Sequence, residues 1–214
     1  MTKHRVLAVG AHFDDVELGC GGSLARHASM GDEVHVFVAS KSGFRDPEGN
    51  MVRDDAVART EGRAAAEILG VSALYEGGFE TNSIPLDDRL TAKIRGLIDA
   101  HAIDWVYTHW PDDAHVDHQH VARATLSAAR HVSRVLFYRS NHFMGVSVPA
   151  HNFFVDISAH MDTKLRALRA FESEYERAGA MWQDTIASEA AYFGKRMGVE
   201  FAEGFVASRF FLAS

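Results

Sequence analysis

Histidine and aspartate gather twice in this chain, each time directly behind an apolar run. The first cluster is His12-Phe13-Asp14-Asp15-Val16-Glu17, following Val6-Leu7-Ala8-Val9. The second is His109-Trp110-Pro111-Asp112-Asp113-Ala114-His115-Val116-Asp117-His118, following Trp105-Val106-Tyr107. His12 and Asp15 are three residues apart, as are His115 and His118, and on a tight turn or first helical turn that spacing points both members of a pair the same way. A catalytic zinc takes three protein ligands from histidine and carboxylate and keeps one position open for water. His12, Asp15 and His118 supply such a set. Asp14, beside a ligand and facing the cavity, is the candidate general base. His115 is the candidate for stabilising an oxyanion or protonating a leaving amine, with Asp117 holding its tautomer. The clusters meet only if the two apolar runs are neighbouring strands.

Each residue also has a plainer reading. Asp14 or Asp15 alone serves as a helix N-cap, and Glu17 as support for the turn. Asp112 and Asp113 behind Pro111 have turn and cap chemistry. His109 reads as a packing residue or a support for the ligands rather than a ligand itself, His120 as exposed, and His27, His101 and His131 as lying on solvated faces. Gly19-Cys20-Gly21-Gly22 invites a dinucleotide-binding reading, but these glycines begin nine residues after the strand and a carboxylate pair stands where a pyrophosphate would sit. Close helix–sheet packing explains them better. The joint pattern, two His/Asp clusters at two strand ends, is hard to obtain from independent caps.

The surrounding elements suit that placement. Short apolar runs read as buried strands at 5–10, 33–39, 73–75, 104–108, 134–138 and 152–156. Helical periodicity fills 19–29, 54–69, 87–100, 115–130, 158–175 and 184–197, with Gly70 closing the second of these. Alternation of this kind predicts an α/β fold, Rossmann-like, with a mostly parallel sheet covered by helices on both faces. In such sheets ligands bind beyond the carboxyl ends of the strands, where both clusters fall. The 214 residues, 47% hydrophobic and 24% charged, with no linker or repeat, read as a single domain spanning 1–214. A net charge of −7 argues against nucleic acid or an anionic membrane as partner. The lone Cys20 excludes an intramolecular disulfide, and with no apolar span or leader pattern the expectation is a cytoplasmic protein.

These motifs resemble the LmbE/PIG-L family of zinc-dependent N-deacetylases, including its bacillithiol-pathway members. The family's A-H-P-D-D-x-E motif is matched by Ala11-His12-Phe13-Asp14-Asp15-Val16-Glu17, and its T-H-x-P-x-D-x-H-x-D-H motif by residues 108–118. Weaker similarity runs through Glu61 to Gly70, Val155-Asp156-Ile157-Ser158, Lys164-Leu165, Ala170-Phe171-Glu172-Ser173 and Phe201-Ala202-Glu203-Gly204-Phe205. The resemblance implies one Zn2+ per subunit on His12, Asp15 and His118, other divalent metals being acceptable to the same donors. It implies Asp14 as base, with His115 and its partner Asp117 assisting. It implies removal of acetyl from an N-acetylglucosamine-type amino sugar or conjugate, by a homo-oligomer (trimer or hexamer). An amide of another kind, such as a thiol conjugate or antibiotic precursor, is the alternative substrate; a non-catalytic metal- or sugar-binding protein is the alternative class. Two departures stand out. Phe13 replaces the usual proline, which predicts a less rigid turn. Ala58 stands where the family often has a substrate-facing arginine, leaving Arg53 and Arg59 as the candidate substrate-binding residues. The loop 40–51, with Lys41, Arg45 and Asp46, follows a strand and reads as exposed and charged, a border of the pocket being the alternative.

Overall fold

The computed structural model describes residues 3–141, 147–179 and 181–211. Among them a seven-stranded sheet carries the fold. Its parallel part is built from β1 (Arg5–Gly10), β2 (Glu33–Ser40), β5 (Ala73–Phe79), β6 (Trp105–His109) and β7 (Arg134–Tyr138). β8 (Phe153–Asp156) and β9 (Ala202–Phe210) complete it in the order β5-β2-β1-β6-β7-β9-β8, with β9 antiparallel to both its neighbours. A small antiparallel hairpin, β3 (Phe44–Arg45) with β4 (Met51–Arg53), stands apart.

The pleat of β1 shows why the strands are apolar throughout. Val6 and Ala8 pack on one face with Cys20 and Leu24 of α1 (Asp15–Ser29), Ala65 and Leu69 of α2 (Asp55–Leu69), and Ala167 of α5 (Met161–Arg169). Leu7 and Val9 pack on the other with Leu90 and Ile94 of α3 (Asp88–Ala100) and Val121 and Ala124 of α4 (Val116–Ala128). A strand buried on both faces loses its alternation and becomes a continuous apolar run. Gly19 and Gly22 of α1 serve close packing as expected, since a Cβ at Gly19 would lie 2.1 Å from the Tyr138 ring and one at Gly22 2.7 Å from Ile157, while at Gly21 it would make only an ordinary contact, 3.6 Å from Lys164.

Several expectations are corrected. α1 begins at Asp15 rather than at 19, because acidic residues at its start suit a helix N-terminus. The strand expected over 73–75 continues to Phe79. The helix expected over 158–175 is broken into a 3-10 turn (Ser158–His160), α5 and α6 (Glu172–Ala178), since Phe171 leaves the helical conformation to bury its side chain in the core. α7 spans Met181–Met197. His27 is not solvated: it is buried, with Nδ1 2.6 Å from Asp32 Oδ2 and Nε2 3.0 Å from the Tyr107 hydroxyl. His120 is half-buried with Nδ1 bonded to the Ile84 carbonyl at 2.7 Å, and His101 is half-buried against Tyr75.

Candidate active site

β1 has β2 on one side and β6 on the other, in register Val6↔Trp105, Leu7↔Val106 and Ala8↔Tyr107. The strand order reverses here, which is where open α/β sheets bind ligands. The chain leaving β1 turns through residues 11–14 into α1, and the chain leaving β6 turns through 110–115 into α4. Asp14 adopts φ 119°, ψ −26°, a region costly for a side-chain-bearing residue, by roughly 1–3 kcal/mol. Its carboxylate makes no cap bond, so the plain N-cap reading fails for it.

The turn is held firmly. The Phe13 N–H donates to Ser42 Oγ at 2.7 Å, and the Phe13 carbonyl accepts from Arg53 Nη1 at 3.1 Å. The Phe13 ring lies where a Cβ on Gly62 would approach it to 2.1 Å. The expected loosening does not occur, for a physical reason: proline has no N–H to give Ser42, whereas phenylalanine gains that bond and fills a gap left by glycine.

Three donors converge beside it. His12 Nδ1 lies 3.4 Å from Asp15 Oδ2, while His118 Nε2 lies 3.3 Å from both His12 Nδ1 and Asp15 Oδ1. The opposite side of each group is tied to the protein. His12 Nε2 donates to Asp117 Oδ2 (3.1 Å), and His118 Nδ1 lies 3.2 Å from Asp113 Oδ1. Asp15 accepts from the Ser140 hydroxyl (2.8 Å) and from the Ala11 and His12 amides (3.1 and 2.7 Å). Metal-ligating histidines characteristically give their outer nitrogen to a carboxylate while the inner one faces the ion. The donor set therefore fits a borderline divalent cation.

Charge tells the same story. Burial would lower the His12 pKa, but Asp117 and Asp15 outweigh it and raise it to about 9. His118, buried yet facing Asp15 and Asp113, rises to about 10. Burial pulls Asp15 upward, but the two imidazoles of His118 and His109 hold it well below the usual carboxylate range. The cluster demands positive charge at its centre. Asp14 differs: burial and the adjacent Asp15 push it well above the usual range, with Arg53 pulling the other way. His109, which burial holds neutral with a pKa near 4, stacks on His118 at 4.0 Å, accepts from the Ala11 amide and lies 3.2 Å from Asp15 Oδ2, so it packs against the donors and supports them.

His115 caps α4 with Nδ1 accepting from the Asp117 amide (3.1 Å), which leaves Nε2 as the N–H. This corrects the expected pairing. The Asp117 carboxylate bonds His12 and accepts from the amides of Asn82 (2.7 Å) and Ile84 (3.1 Å), while only the Asp117 backbone fixes the His115 tautomer. Asp113 is likewise more than a turn residue, because it steadies His118 and accepts from the His115 amide and the Asn141 side chain. Glu17 is buried, and burial raises its pKa to about 7.

A cleft of about 250 Å³ opens over His12, Asp14 and His115, walled by Ser42, Phe44, Arg53, Thr81, Asn82, Glu174 and Arg177. Arg53, buried, donates to Glu61 (3.0 Å) and lies 4.0 Å from Asp14 and 3.6 Å from Glu174. Arg59 is not there: it pairs with Glu76 at 2.7 Å, away from the cleft wall, because its position on α2 faces β5. Thr81, Asn82, Glu174 and Arg177 carried no signal in the sequence, being single polar residues in segments that only the fold brings together. Among the described residues, Thr81 Oγ1 and Arg53 Nε are buried without a hydrogen-bond partner.

The model of the GlcNAc-PI de-N-acetylase family, PIG-L, matches residues 7–129. The diacetylchitobiose deacetylase of Thermococcus kodakarensis is 28% identical over 217 residues, covering 94% of this chain and 81% of that protein. The uncharacterized deacetylase YaiS of Escherichia coli is 35% identical over 142 residues, 63% of this chain and 73% of that one. Among solved structures, the conserved protein TT1542 from Thermus thermophilus superposes with a TM-score of 0.83 at 26% identity, covering 99% of this chain and 97% of that one.

Proposed function

This chain belongs to the PIG-L family, and from that premise we propose that it is a metal-dependent deacetylase removing the N-acetyl group of an N-acetylglucosamine-type sugar or conjugate. The family's de-N-acetylase description and the diacetylchitobiose deacetylase relative support the reaction and the substrate class. The observation that carries the metal is the inward convergence of His12 Nδ1, His118 Nε2 and Asp15, each tied from behind by a carboxylate, hydroxyl or amide.

His12, Asp15 and His118 would hold the ion, for which zinc is the natural choice among divalent metals. When bound, it supplies Lewis acidity that polarises the amide carbonyl and acidifies water. The residues do the rest. Asp14, kept off capping duty by its backbone, takes a proton from the attacking water, whose oxygen bonds the carbonyl carbon. The His115 Nε2–H, oriented by the Asp117 amide, donates to the developing oxyanion. Asp14 returns its proton to the nitrogen as the C–N bond breaks, releasing acetate and the free amine. Arg53 steadies Asp14 and, with Thr81, offers unpaired polar atoms to sugar hydroxyls.

The test is acetate release by metal-loaded protein from a panel of N-acetylglucosaminides set beside thiol-conjugate and other acetamides. Turnover confined to the sugars supports the reading. Turnover confined to the other amides reassigns the substrate, and none with metal fully bound makes the protein a binder.

A further inference from the structure

A second set of metal-competent donors lies at the other end of the sheet. Glu33 and His35 alternate at the start of β2 and so share one face, and His101 closes the C-terminus of α3. One donor atom from each of these residues lies within 4.8 Å of the others. We propose that Glu33, His35 and His101 form a second divalent-metal site, for a borderline ion such as Zn2+, Co2+ or Ni2+, remote from the cleft.

The arrangement repeats the logic of the first set. His35 Nε2 lies 3.0 Å from Glu33 Oε1, while its Nδ1 lies 3.4 Å from the Tyr75 hydroxyl. The same hydroxyl is 2.8 Å from His101 Nε2. One phenol oxygen, with two lone pairs, can therefore accept from the outer N–H of both rings and fix both tautomers. That leaves His35 Nε2 beside the carboxylate and Nδ1 of His101 as the remaining nitrogen. No hydrogen bond to His101 Nδ1 occurs among the described residues. The rings lie 4.3 Å apart at their centroids, tilted by 37°, with one donor atom of each within 4.8 Å of the other.

Electrostatics favours a cation there. His101 sits at the negative end of the α3 dipole, and Glu33 adds a carboxylate. Access is graded: the His35 side chain is 2% exposed and that of Glu33 52%, so an ion enters from the solvent side onto a buried imidazole. Two nitrogens and a carboxylate suit the later first-row metals and zinc over magnesium or calcium. A bound ion would tie the end of α3 to the start of β2, stiffening the fold without touching the cleft.

The experiment is titration of metal-free protein with Co2+, followed by calorimetry and visible absorption, with thermal unfolding at each equivalent. The wild type is expected to take up two equivalents, the second raising the melting temperature. His101→Asn and Glu33→Gln should each lose the second equivalent and its thermal shift while releasing acetate at the wild-type rate with one ion bound. His118→Ala should lose the first and keep the second. Two variants guard against misfolding, since Glu33 is largely exposed. Uptake of a single equivalent by the wild type overturns the proposal. So does a second equivalent that persists in His101→Asn, which would put it on His12, His115 and Asp117.

Discussion

The strands β1 and β6 have histidine–aspartate chemistry at both ends, and the two ends behave differently. At the amino end His27 is bonded through Nδ1 to Asp32 and through Nε2 to Tyr107, so both nitrogens are closed by the protein. At the carboxyl end His12 and His118 each give one nitrogen to an aspartate, Asp117 or Asp113, and turn the other toward a shared point with Asp15. Residue types are the same, and His27 and His118 are both buried. The difference lies in the arrangement: at the carboxyl end two imidazoles and a carboxylate face one another, whereas at the amino end His27 faces one carboxylate and one phenol.

The largest effect expected from breaking the open end is on the proton carrier. Asp14→Asn should lower acetate release by roughly 10²–10⁴-fold while metal content stays at the wild-type level. Equal loss of metal would mean that Asp14 is a ligand. Next come the outer carboxylates. Asp113→Asn and Asp117→Asn should each weaken metal affinity by about 10–100-fold, measured by competition with a chromophoric chelator. His27→Gln, at the closed end, should instead cost about 1–3 kcal/mol of stability and leave metal affinity alone.

Acidity sharpens the same contrast. In metal-free protein His12 and His118 have pKa values raised to about 9 and about 10, above the ordinary 6.5. Their stabilisation is fully present below pH 6.5 and is lost as pH rises through those values. The melting temperature of metal-free protein should therefore fall between pH 7 and pH 10, and metal should remove most of that fall. His27, whose pKa burial lowers, works in the opposite sense: its contribution declines as pH drops below 6.5. The smallest effect belongs to Arg53. It holds the Asp14 pKa down, so Arg53→Gln should move the acid limb of kcat/KM to higher pH.

The sequence carried the chemistry where it was local. His12, Asp14 and Asp15 lie within one turn, and His115, Asp117 and His118 within another, so type and spacing sufficed. The parallel strands were legible because a strand buried on two faces reads as an unbroken apolar run, as Val6-Leu7-Ala8-Val9 does. β9 was not, because Glu203 and Gly204 interrupt its apolar pattern. Glu203 is buried only by virtue of its bonds to Lys164, Ser23 and the Gly22 amide, which come from other elements. The Asp117 partner was misread for a similar reason. Proximity in sequence suggested His115, while the fold brings His12 from 105 residues away. Phe13 gave the opposite lesson. Its departure from proline looked like a weakness until Ser42 and Gly62, distant in sequence, supplied its bond and its space.

The central claim is that the open nitrogens of His12 and His118 and the Asp15 carboxylate share one ion. Anomalous X-ray diffraction at the zinc edge, on crystals of zinc-loaded protein, tests it most directly. The account predicts a peak about 2.0–2.2 Å from His12 Nδ1, His118 Nε2 and Asp15, with Asp14 not bound to it. A peak on His12 Nε2, His115 and Asp117, with none on the predicted set, would contradict it.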